Sequence, residues 1–328
     1  MTNANKAWRT VMSVGAGLPI ALIYGLFIRW LFGQEGAAGW LTTLSLGFLL
    51  FLPLVIGALT VGLAPGAWRE QRAFVLFMPW LAVVIIVAVI GLLQWEAVIC
   101  IVMALPLFLP LASLGGWLFR LKHDDDPDHS PPAELLAIAL LALLPLIVAP
   151  LESRLPQPDS YHVVANSIVI DAPVAVVWAN IASVPLITPD EQGFSFFHLL
   201  GLPKPLEATL TYPGVGGVRH ATFEQHLTFV ETVTEWDEPR RLSFSILADR
   251  DPELPPHLKQ IGGRYLDILD GTYEIEPLTD GTVRLHLSSK HRLSTRFNVY
   301  GSLWTNAIMS DLQSYILRII KARAEAGA

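Results

Sequence analysis

Apolar and polar residues follow two different rhythms along this chain. Up to residue 151 the apolar positions run together in long stretches: Val11–Phe32, Leu41–Leu63, Phe74–Leu93, Ala97–Phe119 and Leu135–Leu151. A helix needs about 20 apolar residues to cross the hydrocarbon core of a bilayer. The first four stretches meet that length. The fifth is shorter and carries Pro145 and Pro150, so it reads as a kinked span or a re-entrant element. We take it as a fifth span. Trp30, Trp40, Trp68, Trp80, Trp95 and Trp117 fall near the predicted ends, where indole rings are favoured.

Past Ser160 the runs become short and alternate. His162–Ile170 is β-branched and alternating, which predicts a strand. Asp171 and Pro173 open a helix whose Val174, Val177, Trp178 and Ile181 repeat at helical spacing. A short helix is predicted over Asp190–Leu200. Strands are then expected at Glu207–Tyr212, Arg219–Gln225, Thr228–Trp236, Arg241–Ala248, Tyr265–Ile275 and Thr282–Leu293. Turn chemistry separates several of them, as at Pro213–Gly217, Asp237-Glu238-Pro239 and Asp280-Gly281. A long helix, Asn298–Glu325, closes the chain. Its expected apolar stripe is Trp304, Ile308, Leu312, Tyr315 or Ile316, and Ile319. The predicted organisation is a five-span domain over 1–154, a Pro-containing linker over 155–160 and a soluble α+β domain over 161–328.

Charge sets the orientation. Lys6, Arg9, Arg69, Arg72, Arg120 and Lys122 occupy alternate connections, and the opposite ones lack Lys and Arg. That distribution places the N-terminus in the cytoplasm. An odd number of spans puts the soluble domain on the extracytoplasmic side of the cytoplasmic membrane. If the fifth stretch does not cross, the domain is cytoplasmic. Arg29 near the end of the first span either snorkels to the interface or pairs with Glu35 or Glu96.

The chain is 52% hydrophobic and 16% charged, with a net charge of −7. Residues 1–151 hold 7 Lys/Arg and 8 Asp/Glu, so almost all of the net negative charge lies in the second half. That balance argues against nucleic acid as a partner. The single cysteine, Cys100, lies in an apolar run and excludes an intrachain disulfide. The run His123-Asp124-Asp125-Asp126-Pro127-Asp128-His129 offers ligand-type side chains. It has no glycine for the sharp turn of a calcium loop, so we read it as a solvated acidic connector and expect no metal.

The second half resembles a known family. Ile170-Asp171-Ala172-Pro173 leads to Val177-Trp178 and Ile181. Val233-Thr234-Glu235-Trp236-Asp237-Glu238-Pro239-Arg240-Arg241-Leu242-Ser243-Phe244 reads as strand, turn and strand, and a long amphipathic helix ends the chain. In this order the segments resemble the START-like, or SRPBCC, superfamily, close to its polyketide cyclase/dehydrase-type branch, over roughly residues 162–323. The resemblance implies a helix-grip fold, a curved antiparallel sheet around the last helix, with an apolar cavity between them. Members bind lipids, sterols, polyketides or other hydrophobic molecules, and some are enzymes. The membrane half lies outside that resemblance, and enzyme activity does not transfer with the fold.

Known catalytic patterns are missing from the sequence. It has no Gly-x-Ser-x-Gly elbow, no His-Glu-x-x-His and no Cys-x-x-Cys. Gly214-Val215-Gly216-Gly217 precedes strand-like residues, so a hairpin turn is expected and not a phosphate cradle. Polar residues on the strands include His220, Glu224, His226, Glu231, Glu235, His286, Lys290 and His291. Alternation sorts them conditionally. If Phe223 faces inward, Arg219 and Ala221 share its face. If Leu285 and Leu287 face inward, so does His291, the one candidate for an acid or base. Expected cavity-lining residues are Phe223, Phe244, Tyr273, Leu285, Trp304, Ile308, Leu312 and Tyr315, although a solid core gives the same pattern. Phe194, Phe196, Phe197 and Leu200 form a dense apolar segment, read as a core helix or as a lid that dips into the bilayer.

These features lead us to expect a membrane-tethered binder or carrier of a hydrophobic ligand such as a lipid or isoprenoid. No cofactor is expected. Partners would be membrane lipids, an apolar small molecule and a membrane protein contacting the spans. A cyclase- or hydrolase-type enzyme and a non-enzymatic regulatory module are the alternatives.

Overall fold

The computed structural model describes residues 3–34, 42–124 and 131–327, with side chains within 16–34, 42–120 and 136–327. Glu35, Trp40 and the acidic run His123–His129 lie outside the described side chains, as do Lys6 and Arg9. The chain divides into two compact units, Met1–Pro156 and Gln157–Ala328. The division falls inside the Pro-containing linker.

The first unit is helical. It comprises α1 (Asn3–Phe32), a π-helical turn (Gly47–Phe51) continuing into α2 (Leu52–Gly62), the single turn α3 (Gly66–Arg69), α4 (Arg72–Leu92), α5 (Val98–Asp124) and α6 (Pro131–Ser153). Among the described residues, three helical segments are long and apolar enough to cross a membrane: Arg72–Leu92, Val98–Arg120 and Leu136–Ser153. Ala16–Phe32 and Gly47–Gly62 are apolar but shorter. The stretch expected to be marginal thus reaches full length, because α6 runs through both prolines to Ser153. The Leu41–Leu63 stretch is shortened as a helix, and its described part begins with the π-helical turn.

Helix α2 is buried along nearly its whole length. It packs against α1, α4, α5 and α6. Its closest neighbour is α5, and glycines explain the approach. A β-carbon on Gly57 would fall on the Ala112 carbonyl, and one on Gly115 would fall on the Leu54 carbonyl. Small residues at such crossings let helix backbones touch. Two buried polar contacts fasten the rest. The Glu152 carboxylate accepts the Leu46 backbone N–H at 2.8 and 3.0 Å. Arg29, buried rather than snorkelling, pairs with Glu96 at 2.8 Å and donates to the Trp95 carbonyl at 2.6 Å.

The second unit runs β1 (Ser160–Ile170), α7 (Val174–Ala182), α8 (Phe196–Leu199), β2 (Pro205–Leu210), β3 (Val218–Phe223), β4 (Thr228–Asp237), β5 (Arg241–Ala248), β6 (Leu266–Pro277), β7 (Val283–Leu293) and α9 (Asn298–Ala326). The strands form one curved antiparallel half-barrel in the order β1-β7-β6-β5-β4-β3-β2. Helix α9 packs on β1 and β7. Alternation along β7 is strict: Val283, Leu285, Leu287, Ser289, His291 and Leu293 are all buried. Helix α7 buries Val177, Trp178 and Ile181. Trp178 meets Trp236 of β4 edge-on at 5.1 Å, bringing together two motif residues far apart in sequence.

Two expected helical features change. In place of a helix over Asp190–Leu200 there is a tight turn at Pro189–Glu191 and then the single turn α8. The turn is held from outside itself. Arg323 of α9 donates to Glu191 at 2.5 and 3.0 Å and to the carbonyls of Pro185 and Leu186, both at 3.0 Å. That guanidinium holds the Glu191 carboxyl down to about 2. The inward face of α9 is also rotated from the expected apolar stripe. It buries Thr305, Met309, Gln313, Leu317, Ile320 and Ala324, together with Tyr315 and Ile319, and leaves Trp304 and Ile308 half-buried. The reason is polar pairing. Thr305 Oγ1 and His291 Nε2 lie 3.1 Å apart, and Gln313 donates to Ser289 Oγ at 2.6 Å. A buried polar side chain with partners is tolerated where an unpaired one is not.

Candidate functional site

A cavity of about 100 Å³ lies between the concave face of the sheet and α9. Alternation on β3 turns Arg219, Ala221 and Phe223 to one side, and all three line it. From β4 come Phe229 and Glu231, from β5 Phe244 and Ile246, and from β6 Ile268, Gly271 and Tyr273. Met309, Leu312, Gln313 and Ile316 close it from α9, and Val184, Ile187 and Pro205 from the segment around α8. The wall is mostly apolar, with two buried polar places and the half-buried Glu207 of β2 in it.

The first polar place is an ion pair. Arg219 and Glu231 stand directly opposite each other in the β3–β4 ladder. The guanidinium Nη1 donates to Glu231 Oε2 at 2.6 Å, and both side chains are buried. The Phe244 ring lies 5.4 Å and the Tyr273 ring 5.9 Å from the guanidinium carbon. These are cation–π distances. Burial by itself would lower the Arg219 pKa, but Glu231 and Tyr273 beside it hold it above its ordinary value. Burial pushes the Glu231 carboxyl up against the pull of Arg219. Burial also raises the Tyr273 hydroxyl. Gly271 makes room for this stack, since a β-carbon there would come within 2.6 Å of the Phe244 ring.

The second polar place is Gln313 with Ser289. Gln313 Nε2 donates to Ser289 Oγ at 2.6 Å and to the Val164 carbonyl at 3.1 Å, and its Oε1 accepts from Asn166 at 2.7 Å. This amide is fully engaged. Arg219 Nε, by contrast, is buried and has no partner.

The residues expected to line a cavity separate into two groups. Phe223, Phe244, Tyr273 and Leu312 form part of the wall. Leu285 lies in the apolar core beside Ile170, Trp178 and Leu317, and Tyr315 in a second core with Leu227 and Ile319. Trp304 meets Tyr300 edge-on at 6.5 Å, and neither it nor Ile308 is in the wall. His291 is fully buried, stacked at 5.5 Å on His162, its β1 register partner, and it too lies outside the wall. Burial and the neighbouring His162 both lower its pKa.

Arg219 and Glu231 were readable as candidates only singly. Their pairing needs the hairpin register, and the β3–β4 turn carries no Asn-Gly or Asp-Gly signal. Gln225 and His226 take the positive φ values there, 58° and 63°. No metal-binding cluster of His, Cys, Asp and Glu occurs among the described residues.

The apolar segment 194–200 joins two wall residues, Ile187 and Pro205, in sequence. Phe197 is buried at 7% exposure, while Phe194, Phe196 and Leu199 face outward, Phe194 at 76% and Leu199 at 73%. Leu186 is also exposed. Ser195 caps α8 by accepting the His198 N–H and donates to Asp311. Arg318 donates to the Phe194 carbonyl at 2.9 Å. The segment is thus held to α9 at its base and open at its aromatic tips.

No protein-family model matches the chain, and no curated protein matches it. Among solved structures, it is similar to an uncharacterized protein from Rhizobium leguminosarum at 10% identity and a TM-score of 0.33, over 51% of this chain and 98% of that one. It is also similar to truncated norcoclaurine synthase from Thalictrum flavum at 14% identity and a TM-score of 0.30, over 49% of this chain and 94% of that one.

Proposed function

We propose that the protein is a membrane-tethered binder of a small apolar ligand, or of the end of a longer one, held between the sheet and α9. The observation that carries this reading is the cavity itself, apolar but for one buried ion pair, one saturated amide and the half-buried Glu207. Its volume narrows the ligand. Drug-sized sites hold about 300–1,000 Å³, whereas an engineered apolar cavity of about 150 Å³ takes up benzene. At about 100 Å³ the space is smaller than that, so it takes a few methylenes as it stands, one ring with some expansion of the wall, and not a whole lipid. The helix-grip resemblance of residues 162–323 supports the reading at the level of superfamily.

To test this, the full chain is extracted in mild detergent and its bound small molecules are identified by mass spectrometry. Wild type is expected to carry an apolar compound that Ala221→Leu, which fills the cavity, lacks. Identical profiles from both proteins, matching bulk lipid, would end the proposal.

A short tether supports a proposed working position of the second unit near the bilayer. Helix α6 ends at Ser153 and β1 begins at Ser160, so the intervening chain reaches at most roughly 25 Å. Within that reach, Phe194, Phe196 and Leu199 are suited to partition into the interface, letting an apolar ligand pass without crossing water. Phe194→Asp with Leu199→Asp is expected to slow exchange of a bound apolar probe with vesicles about tenfold while leaving its affinity unchanged. Equal exchange rates would remove the bilayer from the reading.

Three candidate spans and five give the same parity. With Arg69, Arg72 and Arg120 on the cytoplasmic side, the second unit is proposed to face away from the cytoplasm. Alkaline phosphatase fused after Ala328 should then be active, and an inactive, stably made fusion would reverse the assignment.

A further inference from the structure

We propose that Arg219 is the recognition point for a neutral hydrogen-bond acceptor, a carbonyl or hydroxyl oxygen, carried by the apolar ligand. The inference rests on the cavity being a ligand site, and it specifies the chemistry of what enters.

The buried polar groups of the wall differ in what they leave free. Gln313 has both amide protons engaged, one by Val164 and one by Ser289, and its oxygen is taken by Asn166. It has no donor left for a ligand. Arg219 differs. Its planar head has five N–H donors in a fixed fork. One nitrogen is used on Glu231, Tyr273 is a second hydrogen-bonding neighbour, the Phe244 ring lies at cation–π distance, and Nε is buried without any partner. A buried donor of a charged group left unsatisfied is unfavourable. An oxygen delivered by a ligand would relieve it.

Charge decides which oxygen. Arg219 and Glu231 together sum to zero, both are buried, and the half-buried Glu207 adds a carboxylate to the wall. A carboxylate ligand would bring a second negative charge close to Glu231 in a medium of low dielectric constant, where like charges repel far more strongly than in water. A ketone, ester or alcohol accepts the hydrogen bond and adds no net charge. A pure hydrocarbon fits the apolar wall and leaves the donor unmet. The favoured ligand is therefore a neutral amphiphile with its oxygen end at Arg219. Glu231 on one side and the Phe244 and Tyr273 rings near the guanidinium fix where that oxygen would lie.

Three near-isosteric probes separate the possibilities: cumene (hydrocarbon), acetophenone (neutral carbonyl) and benzoate (carboxylate). Each is equilibrated by dialysis at pH 7.5 with the full chain in nanodiscs, with protein-free nanodiscs as the partition blank. Wild type is expected to bind acetophenone at least tenfold more tightly than cumene, as for a hydrogen bond to a charged donor, with benzoate weaker than acetophenone. Arg219→Met with Glu231→Leu should still bind cumene, which also reports that the site is folded, and should lose the preference for acetophenone. Glu231→Gln provides a gain-of-binding arm. It leaves Arg219 as a lone cation, and benzoate should then bind more tightly than to wild type. Equal affinities for cumene and acetophenone in wild type, or benzoate as its tightest ligand, would overturn the assignment of Arg219 while leaving the cavity as a binding site. If none of the three probes binds wild type, the binding reading and this inference fall together.

Discussion

Arg219→Met alone is expected to destabilise the second unit by about 3–5 kcal/mol, and adding Glu231→Leu is expected to recover most of that loss. The asymmetry follows from what each change leaves behind. Removing the arginine strands a carboxylate that is buried beside Ala221, Phe229 and Phe244 with its one ion-pair partner gone. A buried charge without a partner is costly, about 3–5 kcal/mol. Removing both charges replaces an ion pair by apolar volume, a change that is often neutral or stabilising. Urea unfolding of the full chain, followed by near-ultraviolet circular dichroism, measures both. If the single variant loses less than about 1 kcal/mol, water reaches Glu231 and the pair is not sealed in the cavity wall. If the double variant is no better than the single one, the loss comes from packing around the Arg219 stem and not from the stranded charge.

The expected recovery bears on why the pair is there. A pair that contributes little net stability and can be replaced by Met and Leu is a poor candidate for a structural fastener. Its position in the wall, together with the unpartnered Nε, fits a recognition role better.

Gly57→Leu should be the most damaging change in the first unit, at about 3 kcal/mol or more. Helices α2 and α5 touch backbone to backbone at this point, and any β-carbon on Gly57 would occupy the space of the Ala112 carbonyl. Backbone cannot move aside as a flexible side chain can, so the helices must separate along their contact. Gly66→Leu is the matched control, because nothing lies within 4 Å of a β-carbon there. Thermal unfolding in detergent, read by the loss of the monodisperse peak on size exclusion, should place Gly57→Leu well below wild type and Gly66→Leu close to it. Equal behaviour of the two variants would mean that α2 and α5 are not in backbone contact.

Much of the architecture was legible in the residues because it rests on local periodicity. Apolar runs of membrane length, the alternation of β7 and the helical repeat of Val177, Trp178 and Ile181 each report one element's own buried face. The β3 alternation even grouped Arg219, Ala221 and Phe223 before their strand neighbours were known. Where the reading was off, it was off for a shared reason. Periodicity counts apolar residues, and α9 turns Thr305 and Gln313 inward because His291 and Ser289 wait for them on β7. The tight turn at Pro189–Glu191 likewise depends on Arg323, which is 132 residues away from Glu191.

From the sequence alone came the two-part organisation, the strands with their alternating faces, and the closing helix. Those properties follow from hydrophobic spacing within single elements, which the chain carries wherever it is. Tertiary structure decided the rest: which helix of the first unit is central, that Arg219 faces Glu231, that His291 is packed away from the cavity, and that the space left is about 100 Å³. Register, side-chain pairing and leftover volume depend on distances between segments remote in the chain, and no local pattern encodes them.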